Sequence, residues 1–201
     1  MNKLVIIGAG GHGRVIADIA AKNGYTDISF VDDNALGECM GIPIVGKSSD
    51  IERLNDGITD FVIGIGNNAI RKAVAEKHKV NWVTLIHPSA RIAASVSLGE
   101  GCVVMAGAIV NPCAAIGKHA IINSGAIVEH DCHLGDFVHV SPGATVCGSV
   151  ELGESTWICA GACVINNVSI CADSVVGAGA VVTETIKEKG TYVGVPARKV
   201  K

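Results

Sequence analysis

Beginning at Ile92, every sixth residue of the chain is Ile, Leu or Val. The series runs Ile92, Leu98, Val104, Val110 and onward without exception to Val182, sixteen positions in all. Four residues after each comes a side chain of small or modest size, as in Cys102, Ala108, Ala114, Ala120 and Ala126. Gly often follows the aliphatic residue directly, as at Gly99, Gly117, Gly135, Gly153 and Gly177. A period of six suits neither a helix at 3.6 nor a lone strand at 2, but it suits a solenoid of short strands joined by tight turns. The aliphatic residue points inward, and the small residue points inward near a corner where little volume is left. The glycines are expected to supply turn conformations. Three hexads close one triangular coil, so the pattern predicts about five coils. The register does not break from 92 to 187, which predicts no long inserted loop.

The segment before the repeat reads differently. Lys3-Leu4-Val5-Ile6-Ile7 is a buried strand, followed by Gly8-Ala9-Gly10-Gly11-His12-Gly13 and a helical apolar pattern through Val15, Ile16, Ile19 and Ala20 that Gly24 ends. Ile28–Val31 is a second strand running into Asp32-Asp33. Phe61–Ile65 is a third, Gly66-Asn67-Asn68 opens a helix through Ile70, Ala73 and Val74, and Trp82–Ile86 is the last strand. Strands alternating with helices predict a small α/β domain with a parallel sheet. The expected organisation is therefore a Rossmann-like domain over 1–88 and an all-β parallel β-helix with a C-terminal tail over 89–201.

Composition sharpens this. Aromatics are only 3% of the 201 residues and Gly numbers 25, so the core must be built from small and β-branched side chains at regular spacing. A net charge of −3 with no basic block argues against nucleic acid as a partner. No apolar run approaches the roughly eighteen residues of a membrane span, and the N-terminus lacks the features of a signal peptide. The eight cysteines show no CxxC spacing, so they read as reduced, small buried hydrophobes of a cytoplasmic protein.

The glycine cluster has the GxGxxG form between a strand and a helix, where backbone N–H groups and the helix N-terminus can hold phosphate. The acidic pair Asp32-Asp33 follows about twenty residues later, the spacing of a ribose contact. On that motif alone an NAD-dependent dehydrogenase is a fair rival. About 85 residues before the repeat provide only one mononucleotide-binding half, so a nucleotide or nucleotide sugar is the favoured ligand. A structural glycine turn and a surface acid pair are the alternatives.

GAGGHG, FVDD and IGIGNNAIR before the hexapeptide repeat, with YVGVPARK at its end, resemble the family of sialic acid O-acetyltransferases and UDP-4-amino-sugar N-acetyltransferases, whose members include the bacillosamine-pathway N-acetyltransferase. The resemblance spans almost the whole chain. It implies a left-handed β-helix, acetyl-coenzyme A as co-substrate and a homotrimer with cofactor between neighbouring chains. It also implies a nucleotide-sugar acceptor held by Gly10, Gly11, His12, Asp32, Asp33 and Gly66. Acetyl transfer from a thioester needs a general base, and His130-Asp131 is a suitable pair because a carboxylate orients the imidazole. The family places its base at this histidine, followed by Glu; here the acid is Asp131, shorter by one methylene. By the same resemblance, His139 contacts the acetyl group of the cofactor and the backbone N–H of Gly148 stabilises the oxyanion. Ala160 and Ala178 line the pantetheine arm. Pro196 and Lys199 lie in the segment that meets the cofactor's nucleotide end, where a basic residue can pair with a phosphate. His130 and His139 fall on positions other than the packed interior, and His133 reads as a solvated side chain. No metal is expected, because the His130, His133 and His139 spacing matches no zinc motif. Two other readings stand beside N-acetylation: O-acetylation of a sugar hydroxyl, and a non-catalytic nucleotide-sugar-binding scaffold.

Overall fold

The computed structural model describes residues 3–200 and divides into two compact units that meet in sequence at Pro88 and Ser89. In the first unit β1 (Lys3–Ile7) leads into α1 (Gly11–Lys22), then β2 (Asp27–Val31), β3 (Glu38–Cys39), β4 (Ile42–Gly46), the one-turn α2 (Ile51–Leu54), β5 (Asp60–Ile63), α3 (Asn68–Lys77) and β6 (Asn81–Trp82). The sheet order is β3-β4-β2-β1-β5-β6, parallel except for the β3–β4 pair. The central β1 is a continuous apolar run because it is covered on both faces; Leu4, Val5 and Ile6 are fully buried, with Phe30 and Phe61 beside them on β2 and β5. The order reverses between β1 and β5, and ligands of open α/β sheets bind at such a switch point, beyond the carboxyl ends of the strands. The segment predicted as one strand over 82–86 is two short ones, Asn81–Trp82 and Leu85–Ile86, and only the first joins this sheet. The β3–β4 hairpin left no readable pattern in the sequence.

The second unit holds sixteen two-residue strands from Arg91–Ile92 to Val181–Val182, one per hexad. Up to Cys163–Val164, each pairs in parallel with the strand eighteen residues later: Val104 with Ile122, Ile122 with Val140, and Val140 with Ile158. Strands three hexads apart thus stack into three sheets, the faces of a triangular prism. The first face carries His139 and Trp157, the second Ile127 and Cys163, the third His133 and Glu151. From Val104 to Val182 every aliphatic residue of the six-residue series is at most 4% exposed, while Ile92 and Leu98 in the first coil are half-buried. At about 1.5–3 kcal/mol for each buried Val, Leu or Ile side chain, this axial stack is the main favourable term of the unit. After Val182 the chain returns to the first face: Thr191–Val193 pairs with Val175–Val176, and Arg198–Lys199 adds antiparallel to it.

The turn position differs from the expected one. Every sixth residue from Gly101 to Gly179 has φ between 52° and 70°, eight of them not glycine, including Asp131, Ser149, Asn167 and Asp173. This left-handed corner lies three residues after the aliphatic position. The glycines directly after the aliphatic residue are required for a different reason. A Cβ on Gly153 would lie 2.4 Å from the backbone N of Ala172 in the next coil, and one on Gly135 would lie 2.7 Å from that of Glu154. They permit coils to approach; they do not turn the chain. Gly153→Ala should therefore cost about 3 kcal/mol, since neither backbone can yield. Gly161→Ala, at φ 65° with nothing within 4 Å, should cost only about 1 kcal/mol. Urea denaturation of the two variants checks the ranking.

Candidate active site

The six residues singled out for nucleotide-sugar binding, Gly10, Gly11, His12, Asp32, Asp33 and Gly66, line one cavity of about 780 Å³ in the α/β unit. The start of α1 lines one part of this cavity. That helix begins at Gly10 without any side-chain cap and has no acid in its first turn, so its N–H groups and the positive end of its dipole face the cavity. The N-terminus of α3 is instead capped by Asn67, whose side chain accepts from Ile70 N–H at 3.0 Å. Within the glycine motif, Gly13 packs α1 onto the loop: a Cβ there would lie 1.9 Å from Gly8 O, whereas Gly10 has open space beside it.

The acid pair organises the loops of this cavity. Asp32 accepts from Ala9 N–H at 2.8 Å with one carboxylate oxygen and from Asn34 and Ala35 N–H at 2.8 and 3.0 Å with the other. Burial by itself would raise the Asp32 pKa, but these backbone donors outweigh it and hold the carboxyl below its ordinary range. Asp33 accepts from the N–H and hydroxyl of Ser48. His12 is held neutral: burial first, and the nearby Arg71 guanidinium second, lower its pKa from 6.5 to about 4. Arg71 is only 1% exposed and donates to the carbonyls of Ile65 and Gly66 and to Asn68 Oδ1, fixing the loop that closes the cavity.

Sequence reasoning missed half of this cavity. The sequence marked Ile70, Ala73 and Val74 only as the apolar positions of a helix. The buried residues of α3 are Asn68, Arg71 and Ala75; the stripe faces the cavity, with Ile70 51% exposed. Lys77 and His78 continue the same wall. A charged residue flanked by apolar ones at helical spacing was the available signal.

In the β-helix unit the residues divide by corner. His130-Asp131 and Gly148-Ser149 occupy one corner in successive coils, with Ser149 N–H donating to His130 O at 2.9 Å. His130 Nδ1 lies 2.8 Å from Asp131 Oδ2, so the shorter acid reaches the ring, aided by its left-handed backbone at φ 58°. A Cβ on Gly148 would lie 2.8 Å from both Cε1 and Nε2 of His130. The ring therefore lies across the glycine with Nε2 at its unclamped edge. Ala160 and Ala178 occupy a different corner, which Ser124 and Pro142 share. Each is followed by a glycine with nothing within 4 Å, giving a smooth edge open to a slender ligand.

His139 is on the first face, half a coil from His130. It faces outward yet is only 7% exposed, because Trp157 stacks on it at 5.7 Å and 7°. Asn123 Nδ2 lies 3.1 Å from its Nε2, and Trp157 Nε1–H donates to Ser141 Oγ. Asn123, Ser141 and Trp157 went unnoticed in the sequence because they lie sixteen to eighteen residues from their partners. His133 is exposed on the third face. In the tail, Pro196 is exposed and Lys199 is paired with Glu188 at 3.0 Å, an exposed contact weak enough to exchange for a phosphate.

A mononucleotide-sized α/β unit followed by a hexapeptide-repeat prism with a histidine–carboxylate corner defines a hexapeptide-repeat acyltransferase. Residues 3–78 match the PglD N-terminal domain. The chain is 38% identical to the acetyltransferase domain of PglB from Neisseria gonorrhoeae FA1090, covering 100% of both chains with a TM-score of 0.97. That domain has also been solved in complex with acetyl coenzyme A. PerB from Caulobacter crescentus, solved with CoA and GDP-perosamine, is 38% identical over 100% of this chain and 98% of its own, at a TM-score of 0.92. UDP-N-acetylbacillosamine N-acetyltransferase of Bacillus subtilis (strain 168) is 41% identical over 113 residues, which is 53% of this chain and 52% of that protein's length. The chain belongs to the PglD-like family of hexapeptide-repeat acetyltransferases.

The His12 shift gives a pH prediction. Its folded pKa of about 4 lies below 6.5, so the unfolded chain binds more protons between these values. The stabilisation is complete above 6.5 and is lost as pH falls toward 4, with a slope of at most about 1.4 kcal/mol per pH unit. As pH falls across this range, urea midpoints should fall in wild type relative to His12→Leu, the variant lacking this contribution to the slope; parallel pH dependence contradicts it.

Proposed function

We propose that this chain transfers the acetyl group of acetyl-coenzyme A to the amine of a nucleotide-linked 4-amino-sugar, with His130 as general base. The observation that carries this reading is the clamped imidazole at its corner. Asp131 accepts a hydrogen bond from Nδ1–H, which selects the tautomer with the lone pair on Nε2, and the ring lies over the Gly148 backbone. The amine attacks the thioester carbonyl while Nε2 takes its proton. The oxyanion of the tetrahedral intermediate is met by the Gly148 N–H, and collapse expels the coenzyme A thiolate, which recovers a proton from His130. The nucleotide belongs to the α/β cavity, with its phosphates at the start of α1. PerB, solved with a nucleotide sugar and CoA, supports both ligands.

The active form is a homotrimer in this reading. His130 and His139 are nine residues apart, half of an eighteen-residue coil, so one prism turns them away from each other. If both serve one acetyl group, His139 and the Ala160–Ala178 edge of one chain face the His130 corner of another. The prism faces are suited to symmetric association. The eight cysteines, none of them in a disulfide, support a reducing compartment, the cytoplasm. No helix among the described residues is long and apolar enough to cross a membrane.

His130→Ala should lower turnover about a thousandfold while acetyl-CoA still binds. Gly148→Ala should lower it steeply too, because the added methyl displaces the ring. Free thiol release with UDP- and GDP-linked amino sugars measures turnover in both variants, and calorimetry measures acetyl-CoA binding; near-wild-type turnover in His130→Ala contradicts the assignment. Light scattering should give three times the mass of one 20.5 kDa chain.

A further inference from the structure

The far end of the α/β cavity holds two groups that the proposed chemistry leaves unused. His78 follows the last turn of α3, lines the cavity and is 3% exposed. Its Nδ1 lies 3.0 Å from Glu52 Oε1, while its Nε2 is buried with no hydrogen-bond partner among the described residues. A buried nitrogen without a partner costs about 1–3 kcal/mol, converting to roughly a five- to hundred-fold factor that a ligand can recover. With the Nδ1 proton directed at Glu52, Nε2 is left as an acceptor. Beside it, the exposed Lys77 also lines the cavity and brings only donors.

The cavity follows α3 from Gly66, before its first turn, to Lys77 and His78 at its end. Ten helical residues span about 15 Å, comparable to an extended nucleoside diphosphate. If phosphates occupy the start of α1, the base comes to rest along Ile70 and Val74, an apolar wall suited to its flat face.

We propose that His78 and Lys77 read the lactam edge of the nucleobase, so that the cavity takes uracil, thymine or guanine nucleotides and rejects cytosine and adenine. This rests on the reading of the cavity as the nucleotide site. Uracil and thymine present N3–H beside a carbonyl, and guanine presents N1–H beside a carbonyl. The N–H donates to His78 Nε2 and the carbonyl accepts from Lys77. Cytosine and adenine reverse the pattern, presenting a ring-nitrogen lone pair to the imidazole lone pair and an amino group to the ammonium. Rejection of the reversed edge is strong where a site's buried polar group would be left unpaired.

Calorimetry with UDP against CDP, and GDP against ADP, tests this on the full chain. Wild type should bind UDP at least about tenfold tighter than CDP. His78→Phe keeps a ring and leaves the exposed Glu52 in water; it should bring the two within about threefold of each other, mainly by weakening UDP. His78→Gln, which can present an amide oxygen, should retain part of the preference. Lys77→Met, a surface change that leaves the fold undisturbed, should reduce it too. Equal affinity of wild type for UDP and CDP, or full preference in His78→Phe, overturns base reading and leaves the nucleotide site standing. If wild type binds acetyl-CoA but no nucleoside diphosphate, the cavity assignment itself falls and this inference with it.

Discussion

Each coil of the β-helix must seat its aliphatic residues on those eighteen positions before and after, since that axial column is the core. Everything on the outside of the prism is subject to the same step. A residue's number within the eighteen decides its face or corner, and residues eighteen apart become neighbours. His130 lies over Gly148, and Ala160 lies in line with Ala178, for this reason alone. The close approach of coils also explains the column of glycines after the aliphatic position, where any side chain would strike the next backbone.

The α/β unit obeys a different constraint. Its parallel sheet buries β1 on both faces and leaves the carboxyl ends of the strands open at the point where strand order reverses. The loops there need their backbone N–H groups satisfied, and the Asp32 carboxylate does this for three of them. Arg71 secures the opposite loop through two carbonyls. The cavity thus comes with rigid walls and an uncapped helix start, properties suited to holding phosphate.

The repeat was legible because burial forces one residue class at a fixed interval, and sixteen intervals leave no doubt about the period. The His130-Asp131 pair was legible because the two residues are adjacent. Contacts a coil apart were not: three hexads per coil bring residues about eighteen apart side by side, but which outward side chains turn toward each other, as Asn123 does to His139 and Trp157 to Ser141, is not fixed by the period. The α3 stripe was legible as a helix pattern but not as a cavity wall, for a physical reason. Apolar periodicity reports a face that avoids water, and a ligand cavity does that as well as a core does. The corner residues were also displaced by two positions from their expected place, because polar residues such as Asp131, Asn167 and Asp173 adopt the left-handed turn alongside glycine.

The same step that builds the core separates His130 from His139 by half a coil, and this makes the proposed active site a property of two chains. Mixing inactive His130→Ala trimers with inactive His139→Ala trimers, after dissociation and reassembly, tests this most directly. Some interfaces in the mixed trimers would then pair an intact His130 from one chain with an intact His139 from another. The account predicts that thiol release returns on mixing, to a fraction of the wild-type rate, with neither parent active alone. No recovery in trimers shown to contain both chains would contradict it.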